Sequence, residues 1–254
     1  MELKSKSEID ILREANLIVA DVLSELEAMV EPGVTTNQLN QKAAELTKKH
    51  GAKSAFLGYP APSPGVEAFP GLICASLNDA IVHGIPNDVP LKEGDILSVD
   101  YGCEHKGFFG DSARTIPVGD ISDETQRLLD VTKASLEAAI EQCQAGNRIG
   151  DISNAVQTVV EKAGFGIVRE FVGHGIGRNM HEPPHVPNFG RQGQGRVLKP
   201  GLVIAIEPMV TIGSFETKLL EDGWTAVTRD GSLAAHFEHS VAITADGPIV
   251  LSRP

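Results

Sequence analysis

The feature that most limits the fold of this chain is an internal duplication. The chain begins with two predicted helices that end at Gly33 and Gly51, and a later pair of helices ends at Gly146 and Gly164. The offset between corresponding glycines is constant, and glycine is the usual residue just after a helix C-terminus. The sequence therefore predicts two related halves, each with two helices followed by antiparallel strands.

The sequence matches between the two halves continue into the predicted strands, where each matched segment contains or ends near a histidine or an acid. His83-Gly84-Ile85 is matched by His174-Gly175-Ile176, and Asp100 and Glu207 each follow the glycine of a Leu-Lys-x-Gly segment at the same distance. Short matches arise by chance, but matches that keep their order along both halves are harder to dismiss. Because equivalent residues of two pseudo-symmetric halves can converge on the axis between them, we expect a shared site there.

The domain organisation follows from this duplication and from the composition. The 254 residues, 41% apolar and 22% charged, suffice for a buried core, and no linker stands out. We predict a single domain over residues 1–254, with pseudo-repeat halves of about 1–118 and 119–254. The predicted fold class is α+β, in which two halves of antiparallel sheet are flanked on the outside by helices.

Local signals place the starts of three helices. Ser7 reads as the N-cap of the first helix, and Thr35 with Gln38 forms a capping-box pattern for the second. Ser122 reads as the N-cap of the third helix, in the second half. We therefore expect the helices of both halves to be fixed by polar caps as well as by their apolar stripes.

Two predicted strands joined by the polar turn Glu104-His105-Lys106-Gly107 carry Asp100 and Asp111. A pairing centred between His105 and Lys106 makes the two aspartates cross-strand neighbours on one face. Carboxylates in that arrangement repel, so a buried pair requires a shared proton or a cation between them. The hairpin is the first indication of a metal site.

Seven polar residues stand in otherwise apolar strand or glycine-rich contexts. Any one of these acids alone favours a surface position, because unpaired acids are rarely buried. Together, four carboxylates and an imidazole suit Mn, Fe, Co or Zn, and they are too many ligands for one catalytic ion. Two ions are the natural interpretation, and such a pair lowers the pKa of water to about 7 and favours hydrolysis. The seven residues are His83, Asp100, Asp111, His174, His181, Glu207 and Glu238.

Charge and cysteine content exclude several other classes of protein. The net charge of −12 argues against a nucleic-acid groove, and the odd number of cysteines, three, without metal-finger spacing argues against a disulfide scaffold or a zinc ribbon. The first residues lack the apolar core of a signal peptide, and no apolar run approaches the length of a membrane span. We expect a cytoplasmic monomer that does not bind membranes.

The sequence resembles the type I methionine aminopeptidases, whose pita-bread fold is shared with prolidase and proline-specific aminopeptidases. The resemblance covers essentially the whole chain, and no long insertion of the type II enzymes separates His174 from Glu207. The motifs that carry it are Val82-His83-Gly84-Ile85-Pro86, Ser98-Val99-Asp100-Tyr101-Gly102, Gly110-Asp111-Ser112-Ala113, Gly173-His174-Gly175-Ile176-Gly177, Met180-His181-Glu182-Pro183-Pro184, Ile206-Glu207-Pro208 and Phe237-Glu238-His239.

The resemblance implies a role for each of these polar residues. Asp100 would chelate one metal ion, Asp111 and Glu238 would bridge two, and His174 and Glu207 would complete the second. Glu207 would also handle the proton of the attacking water. The remaining catalytic positions, which would contact the substrate and stabilise the tetrahedral intermediate, are His83 and His181.

The resemblance also implies a pocket for a methionine side chain. Three features depart from the family: Phe56 stands where many relatives have Cys, Met180 stands where Phe is common, and the loop between Tyr59 and Phe69 is several residues longer. His236 stands where Gln is usual, beside a metal ligand. The substrate-binding positions, in addition to His83 and His181, are Tyr59, Phe69, Cys74, Met180 and Trp224.

The implied activity is removal of the initiator methionine from nascent proteins when the second residue is small. The implied partners are nascent chain N-termini, met at the ribosome, and the implied cofactors are two divalent ions (Co, Mn, Fe(II) or Zn) and, as in some relatives, a monovalent cation near Asn78. Two alternatives stay open. One is a prolidase or an X-Pro aminopeptidase of the same fold, and the other is an inactive family member that serves as a binding module.

Overall fold

The computed structural model describes residues 2–254, and its helices form the outer layer of the molecule. Each helix turns an apolar stripe inward, as Leu12, Val19 and Leu26 of the first helix illustrate. None of the helices in this described range is long and apolar enough to cross a membrane. The helices are α1 (Lys6–Glu27), α2 (Thr36–Lys49), α3 (Asp123–Glu141) and α4 (Ile149–Lys162).

Three of the helix caps illustrate what local sequence determines. Thr35 and Ser122 cap α2 and α3, as predicted. The prediction for α1 was wrong by two residues, because Ser5 and not Ser7 is its N-cap. Ser5 forms a capping box with Glu8, whose carboxylate accepts a hydrogen bond from the Ser5 backbone N–H at 2.8 Å.

The strands lie inside the helical layer, and most of them are short. They are β1 (Lys53–Ser54), β2 (Cys74–Leu77), β3 (Ala80–Val82), β4 (Ile96–His105), β5 (Phe108–Pro117), β6 (Gly166–Ile167), β7 (Gly173–Gly175), β8 (Glu182–Val186), β9 (Val203–Ile206), β10 (Met209–Thr211), β11 (Thr217–Leu219), β12 (Ala226–Thr228), β13 (Ala234–His236), β14 (Glu238–Thr244) and β15 (Gly247–Val250).

The largest sheet joins strands from both parts of the chain. Its order is β1-β4-β5-β14-β9-β7-β8, with β2 added on β4 and β15 on β14. All of its pairings are antiparallel, and β5 meets β14 where Ala113 lies opposite Glu238. Two smaller sheets have the orders β13-β10-β6 and β11-β12-β3. The observed architecture is therefore the α+β arrangement of helices outside antiparallel sheet.

The backbone repeats itself at the positions that the duplication marks. Gly33 and Gly146 have φ values of 96° and 98°, in the left-handed region that glycine adopts without strain. The residues that precede α2 and α4, Thr35 and Arg148, each form an isolated antiparallel bridge to a later segment. Equivalent residues thus have equivalent conformations, while the division of a single domain into halves near residue 118 stays a prediction.

The apolar core lies in clusters between the helices and the sheets. One cluster packs α1 and α2 against β4, and another packs α3 and α4 against β9 and β14. A third cluster contains Phe69, Cys74 and Met180. The third cluster forms the apolar wall beside the polar site.

Candidate metal centre and pocket

The β4–β5 hairpin positions the two aspartates. Its turn is Lys106-Gly107, with φ values of 52° and 81°, which is the conformation of a two-residue hairpin turn. The register places Asp111 opposite Gly102, two residues away from the pairing suggested by the sequence. Because side chains alternate with a period of two, Asp100 and Asp111 still share a face, now as diagonal neighbours.

Neighbouring strands of the large sheet supply the other acids and the histidine. Glu238 begins β14 beside β5, Glu207 directly follows β9, and His174 lies in β7 opposite Ala205 of β9. The five predicted ligands thus come from five adjacent strands, taken in the order β4, β5, β14, β9 and β7. The sheet order, and not proximity along the chain, brings them together.

The side chains of this group converge on a small space. His174 Nε2 lies 3.7 Å from Asp111 Oδ2 and 3.6 Å from Glu207 Oε1. One ligand atom each from Asp111, His174 and Glu238 lie within 4.8 Å of one another. His174 Nδ1 lies 2.9 Å from the carbonyl oxygen of Gly175, so this nitrogen carries the proton and Nε2 faces the carboxylates with its lone pair.

Burial makes this group costly without a cation. It raises the pKa values of Asp111, Glu207 and Glu238 well above their usual range, and the neighbouring carboxylates raise them further. Burial also raises the pKa of Asp100 to about 7, and it lowers the pKa of His174 to about 3. Ionising these carboxyls without a cation would therefore concentrate negative charge where water cannot screen it.

Several carboxylate oxygens of this cluster have no hydrogen-bond partner, and this indicates that the cluster suits a cation. Asp100 Oδ1, Asp111 Oδ1 and Glu238 Oε1 are buried and have no hydrogen-bond partner among residues 2–254. Buried polar atoms are normally satisfied, and a divalent ion would satisfy these oxygens and offset the repulsion between the carboxylates. Carboxylate oxygens with one imidazole nitrogen are also a donor set that divalent transition-metal ions accept.

A cavity of about 530 Å³ opens above this centre. Its lining includes Phe56 and two residues of the loop between Tyr59 and Phe69, Pro60 and Pro62. The cavity is also lined by all twelve residues that were predicted as catalytic, metal-binding or substrate-binding: Tyr59, Phe69, Cys74, His83, Asp100, Asp111, His174, Met180, His181, Glu207, Trp224 and Glu238.

The loop between Tyr59 and Phe69 forms one wall of the cavity. The ring of Phe69 meets the ring of Trp224 edge-on, with 5.2 Å between centroids, and Trp224 Nε1 donates a hydrogen bond to the carbonyl oxygen of Glu67 at 2.9 Å. Val66 packs so closely on Gly223 that an added Cβ there would lie 2.5 Å from the valine. The loop between Tyr59 and Phe69 is therefore attached to the wall that contains Gly223 and Trp224.

Two histidines stand at the edge of the metal centre. His181 Nδ1 lies 2.7 Å from the Tyr59 hydroxyl, and His83 meets the ring of Phe171 edge-on with 5.4 Å between centroids. Burial lowers the pKa of His83 to about 4, and it also lowers the pKa of His181. Both rings are therefore neutral near pH 7. His83 also has a φ of 59°, which is unusual for a residue with a side chain and is found at functional sites.

Sequence reasoning missed two residues that support the site. Phe171 lines the cavity behind His83, and its position just before the Val172-Gly173-His174 segment was the available signal. Lys4 is buried, and its Nζ lies 2.8 Å from the carboxylate of Glu182, the residue after His181. No local pattern in the sequence indicated this second contact.

Residues 10–245 match the sequence profile of metallopeptidase family M24. The methionine aminopeptidase of Clostridium perfringens is 48% identical over 250 residues, which cover 98% of each chain. The crystal structure of a methionine aminopeptidase from Thermotoga maritima superposes with a TM-score of 0.96 at 41% identity, over the full length of both chains.

A more distant structure has the same fold. The Xaa-Pro dipeptidase of Bacillus anthracis is 22% identical and superposes with a TM-score of 0.78, over 99% of this chain and 62% of the dipeptidase. At that identity the likeness bears on the fold alone. The chain has the pita-bread fold that these proteins share.

Proposed function

The chain belongs to metallopeptidase family M24, and from this premise we propose that it is a methionine aminopeptidase that removes the initiator methionine when the second residue is small. The observation that supports this most directly is the position of the metal centre. The convergent carboxylates lie at the floor of an apolar cavity whose walls include Phe69, Met180 and Trp224. An unbranched thioether side chain suits such a wall.

Divalent metal use follows from the family and from the fit of the buried donor set. We propose that two ions are held, with Asp100, Asp111, His174, Glu207 and Glu238 as ligands. Ions of this kind, when bound, polarise a carbonyl and lower the pKa of water towards about 7. Co, Mn, Fe(II) and Zn all accept this donor set, and availability decides among them.

The residues around the centre orient the substrate and move protons. We propose that the Glu207 carboxylate accepts a proton from the attacking water and passes it to the leaving amine. His181, whose Nδ1 accepts from the Tyr59 hydroxyl, is left with a proton on Nε2 that it can donate to the developing oxyanion. Burial raises the pKa of Tyr59, so its hydroxyl keeps the proton that this hydrogen bond needs. We propose that His83 holds the peptide from the other side.

The cavity wall determines which residue is released. Cys74 lies at its base, and burial together with the nearby carboxylates raises the pKa of its thiol, which stays neutral. Phe56 and Met180, which differ from the residues usual in the family that the sequence resembles, both line the cavity and keep its wall apolar. We propose that methionine is preferred because its side chain fills the cavity without placing a polar group against the apolar wall.

The partners follow from the proposed reaction. We propose that the chain acts on nascent polypeptide N-termini at the ribosome, as a cytoplasmic monomer. The net charge of −12 supports a protein that stays apart from nucleic acid grooves and from other copies of itself. Light scattering on the purified protein tests the monomer, and co-sedimentation with translating ribosomes tests the association.

The activity is tested by release of the first residue from Met-Ala-Ser, Met-Phe-Ser and Xaa-Pro peptides. We expect the metal-reconstituted protein to release methionine from Met-Ala-Ser, and the chelated protein and Asp111→Asn to release none. Glu104→Gln, at the exposed end of the same hairpin, is the control and retains the activity. Cleavage confined to the Xaa-Pro peptides would contradict the proposal and place the chain with the prolidases.

A further inference from the structure

His236 is a buried polar side chain that the proposed reaction does not use. Its exposed fraction is 2%, and its Nε2 has no hydrogen-bond partner among residues 2–254. Leaving a buried polar atom unsatisfied costs free energy, so such an atom in a folded protein requires an explanation. The atom lies 3.8 Å from the carboxylate of Glu207, which is one of the proposed metal ligands.

The backbone holds His236 in a fixed place. Its N–H donates to Thr115 Oγ1 at 2.8 Å, and its carbonyl oxygen accepts from the same hydroxyl at 2.9 Å. In the pairing of β10 with β13, His236 lies opposite Met209. Side chains two residues apart in an extended segment lie on the same side, so His236 shares a side with Glu238, and Met209 shares a side with Glu207. Because His236 lies opposite Met209, its side chain also faces Glu207.

The carboxylate of Glu207 lies between two imidazole rings. Its Oε1 is 3.6 Å from His174 Nε2, and its Oε2 is 3.8 Å from His236 Nε2. The first ring cannot donate to it, because the proton of His174 is on Nδ1, in the hydrogen bond to the Gly175 carbonyl. Of the two histidines next to Glu207, only His236 can therefore supply a hydrogen bond.

We propose that His236 is a positioning residue for Glu207, with its Nε2–H donating to Glu207 Oε2. The present separation of 3.8 Å is longer than a hydrogen bond, so the proposal requires the two side chains to approach to about 2.9 Å. The bond holds Oε2 so that Oε1 stays directed at the space shared with His174 and Asp111. The inference rests on the proposed role of Glu207 as a metal ligand.

The expected effect is that of a hydrogen bond behind a metal ligand. Loss of such a partner typically lowers metal affinity or activity by about 10- to 100-fold. Glutamine, the usual residue at this position in the family that the sequence resembles, can also donate a hydrogen bond. Methionine has nearly the same length and volume as glutamine but no donor. Comparing His236→Gln with His236→Met therefore distinguishes the effect of the hydrogen bond from the effect of side-chain packing.

The experiment is a titration of the metal-free protein with Co(II), followed by its visible absorption, together with kcat and KM for Met-Ala-Ser. We expect His236→Met to bind Co(II) about tenfold more weakly or worse, with an altered absorption band, and to lower kcat with little change in KM. His236→Gln should restore both. The control is His239→Met, because the His239 ring lies 2.8 Å from the Ser252 hydroxyl, and its Co(II) affinity should match the wild type.

Two results would overturn the proposal. In one, His236→Met binds Co(II) with wild-type affinity and spectrum; in the other, His236→Gln is as impaired as His236→Met, so that ring shape and not the donor matters. Thermal unfolding of the metal-free variants shows that each is folded, and His236→Ala replaces His236→Met if the latter is not. A wild type that binds Co(II) without releasing methionine would contradict the proposed function, while the Co(II) titration still decides the role of His236.

Discussion

At the level of single residues, the site depends on acids that are buried where their charges repel. Asp111 is 3% exposed and Glu238 is 2% exposed, and both contribute an oxygen without a hydrogen-bond partner in the described range 2–254. In the metal-free protein these groups destabilise the fold, because their pKa values are raised above those of the unfolded chain. A bound cation reverses the sign of that contribution.

The first prediction concerns Asp111→Asn in the metal-free protein. Below the unfolded-state pKa, the Asp111 carboxyl is protonated in both the folded and the unfolded state, so it adds no pH dependence to the free energy of unfolding. At higher pH, folding requires this carboxyl either to take up a proton or to bury its charge, and both reduce the free energy of unfolding. We therefore expect metal-free Asp111→Asn to melt higher than the metal-free wild type at pH 8, and this advantage to shrink towards pH 4. Differential scanning calorimetry with a chelator measures the difference. Saturating metal should reverse the order at pH 8, and a difference that is independent of pH would refute the prediction.

The second prediction concerns the hydrogen bond between Tyr59 and His181. Tyr59→Phe removes the hydroxyl that fixes the ring, and we expect kcat/KM to fall about two- to tenfold, the value of one hydrogen bond. Tyr101→Phe is the matched control, because its hydroxyl bonds Thr47 at 2.7 Å, away from the cavity. That variant should lower the melting temperature and leave kcat/KM unchanged. Equal kinetics for Tyr59→Phe and the wild type would remove Tyr59 from the mechanism.

At the level of elements, the start of α1 shows how a cap is chosen among neighbouring serines. Ser5 and Ser7 both precede apolar positions of the helix and both have an acid three residues later, but it is Glu8 that accepts a hydrogen bond from the backbone N–H of Ser5. Both serines thus have the spacing of a capping box. A serine alone was therefore insufficient evidence for the helix boundary.

The third prediction compares these two serines. Ser5→Ala removes the cap and is expected to reduce the free energy of unfolding by about 1 kcal/mol. Ser7→Ala, two residues later and exposed, is expected to change it by less than about 0.5 kcal/mol. Urea denaturation followed by circular dichroism provides both values. If Ser7→Ala proved the more damaging of the two, the sequence-based choice of cap would be restored.

At the level of the whole molecule, the N-terminal segment holds the loop that carries His181. Lys4 and Glu182 are 178 residues apart, and the lysine side chain is 1% exposed. The Lys4 backbone N–H also donates to the carbonyl oxygen of Gly201. One end of the chain is thus joined to two segments of the other half.

The fourth prediction concerns this buried ion pair. Lys4→Met leaves Glu182 without its cation, and we expect a loss of about 3 kcal/mol in the free energy of unfolding together with lower kcat. Adding Glu182→Gln should recover part of the stability, because no unpaired charge then remains. Lys6→Met, in the first turn of α1, is the control. Chemical denaturation and initial rates on Met-Ala-Ser measure the effects, and equal stability of Lys4→Met and Lys6→Met would exclude a role for the pair.

The sequence alone determined the repeated helices, the caps at Thr35 and Ser122, and the set of polar residues that line the cavity. These depend on local periodicity and on motifs a few residues long, which the physics of a short segment decides. The resemblance then assigned their roles, and the comparisons bear out the family and the fold.

Only the tertiary structure decided which atoms meet. The hairpin register, the Tyr59–His181 hydrogen bond, the Lys4–Glu182 pair and the position of His236 behind Glu207 all join residues whose proximity depends on the order of strands in the sheet or on turn geometry. A shift of two residues in a strand pairing leaves the pattern of faces intact, so the sequence pattern cannot distinguish the two registers. Contacts across the sheet are fixed by packing between distant segments, and packing is a property of the folded chain.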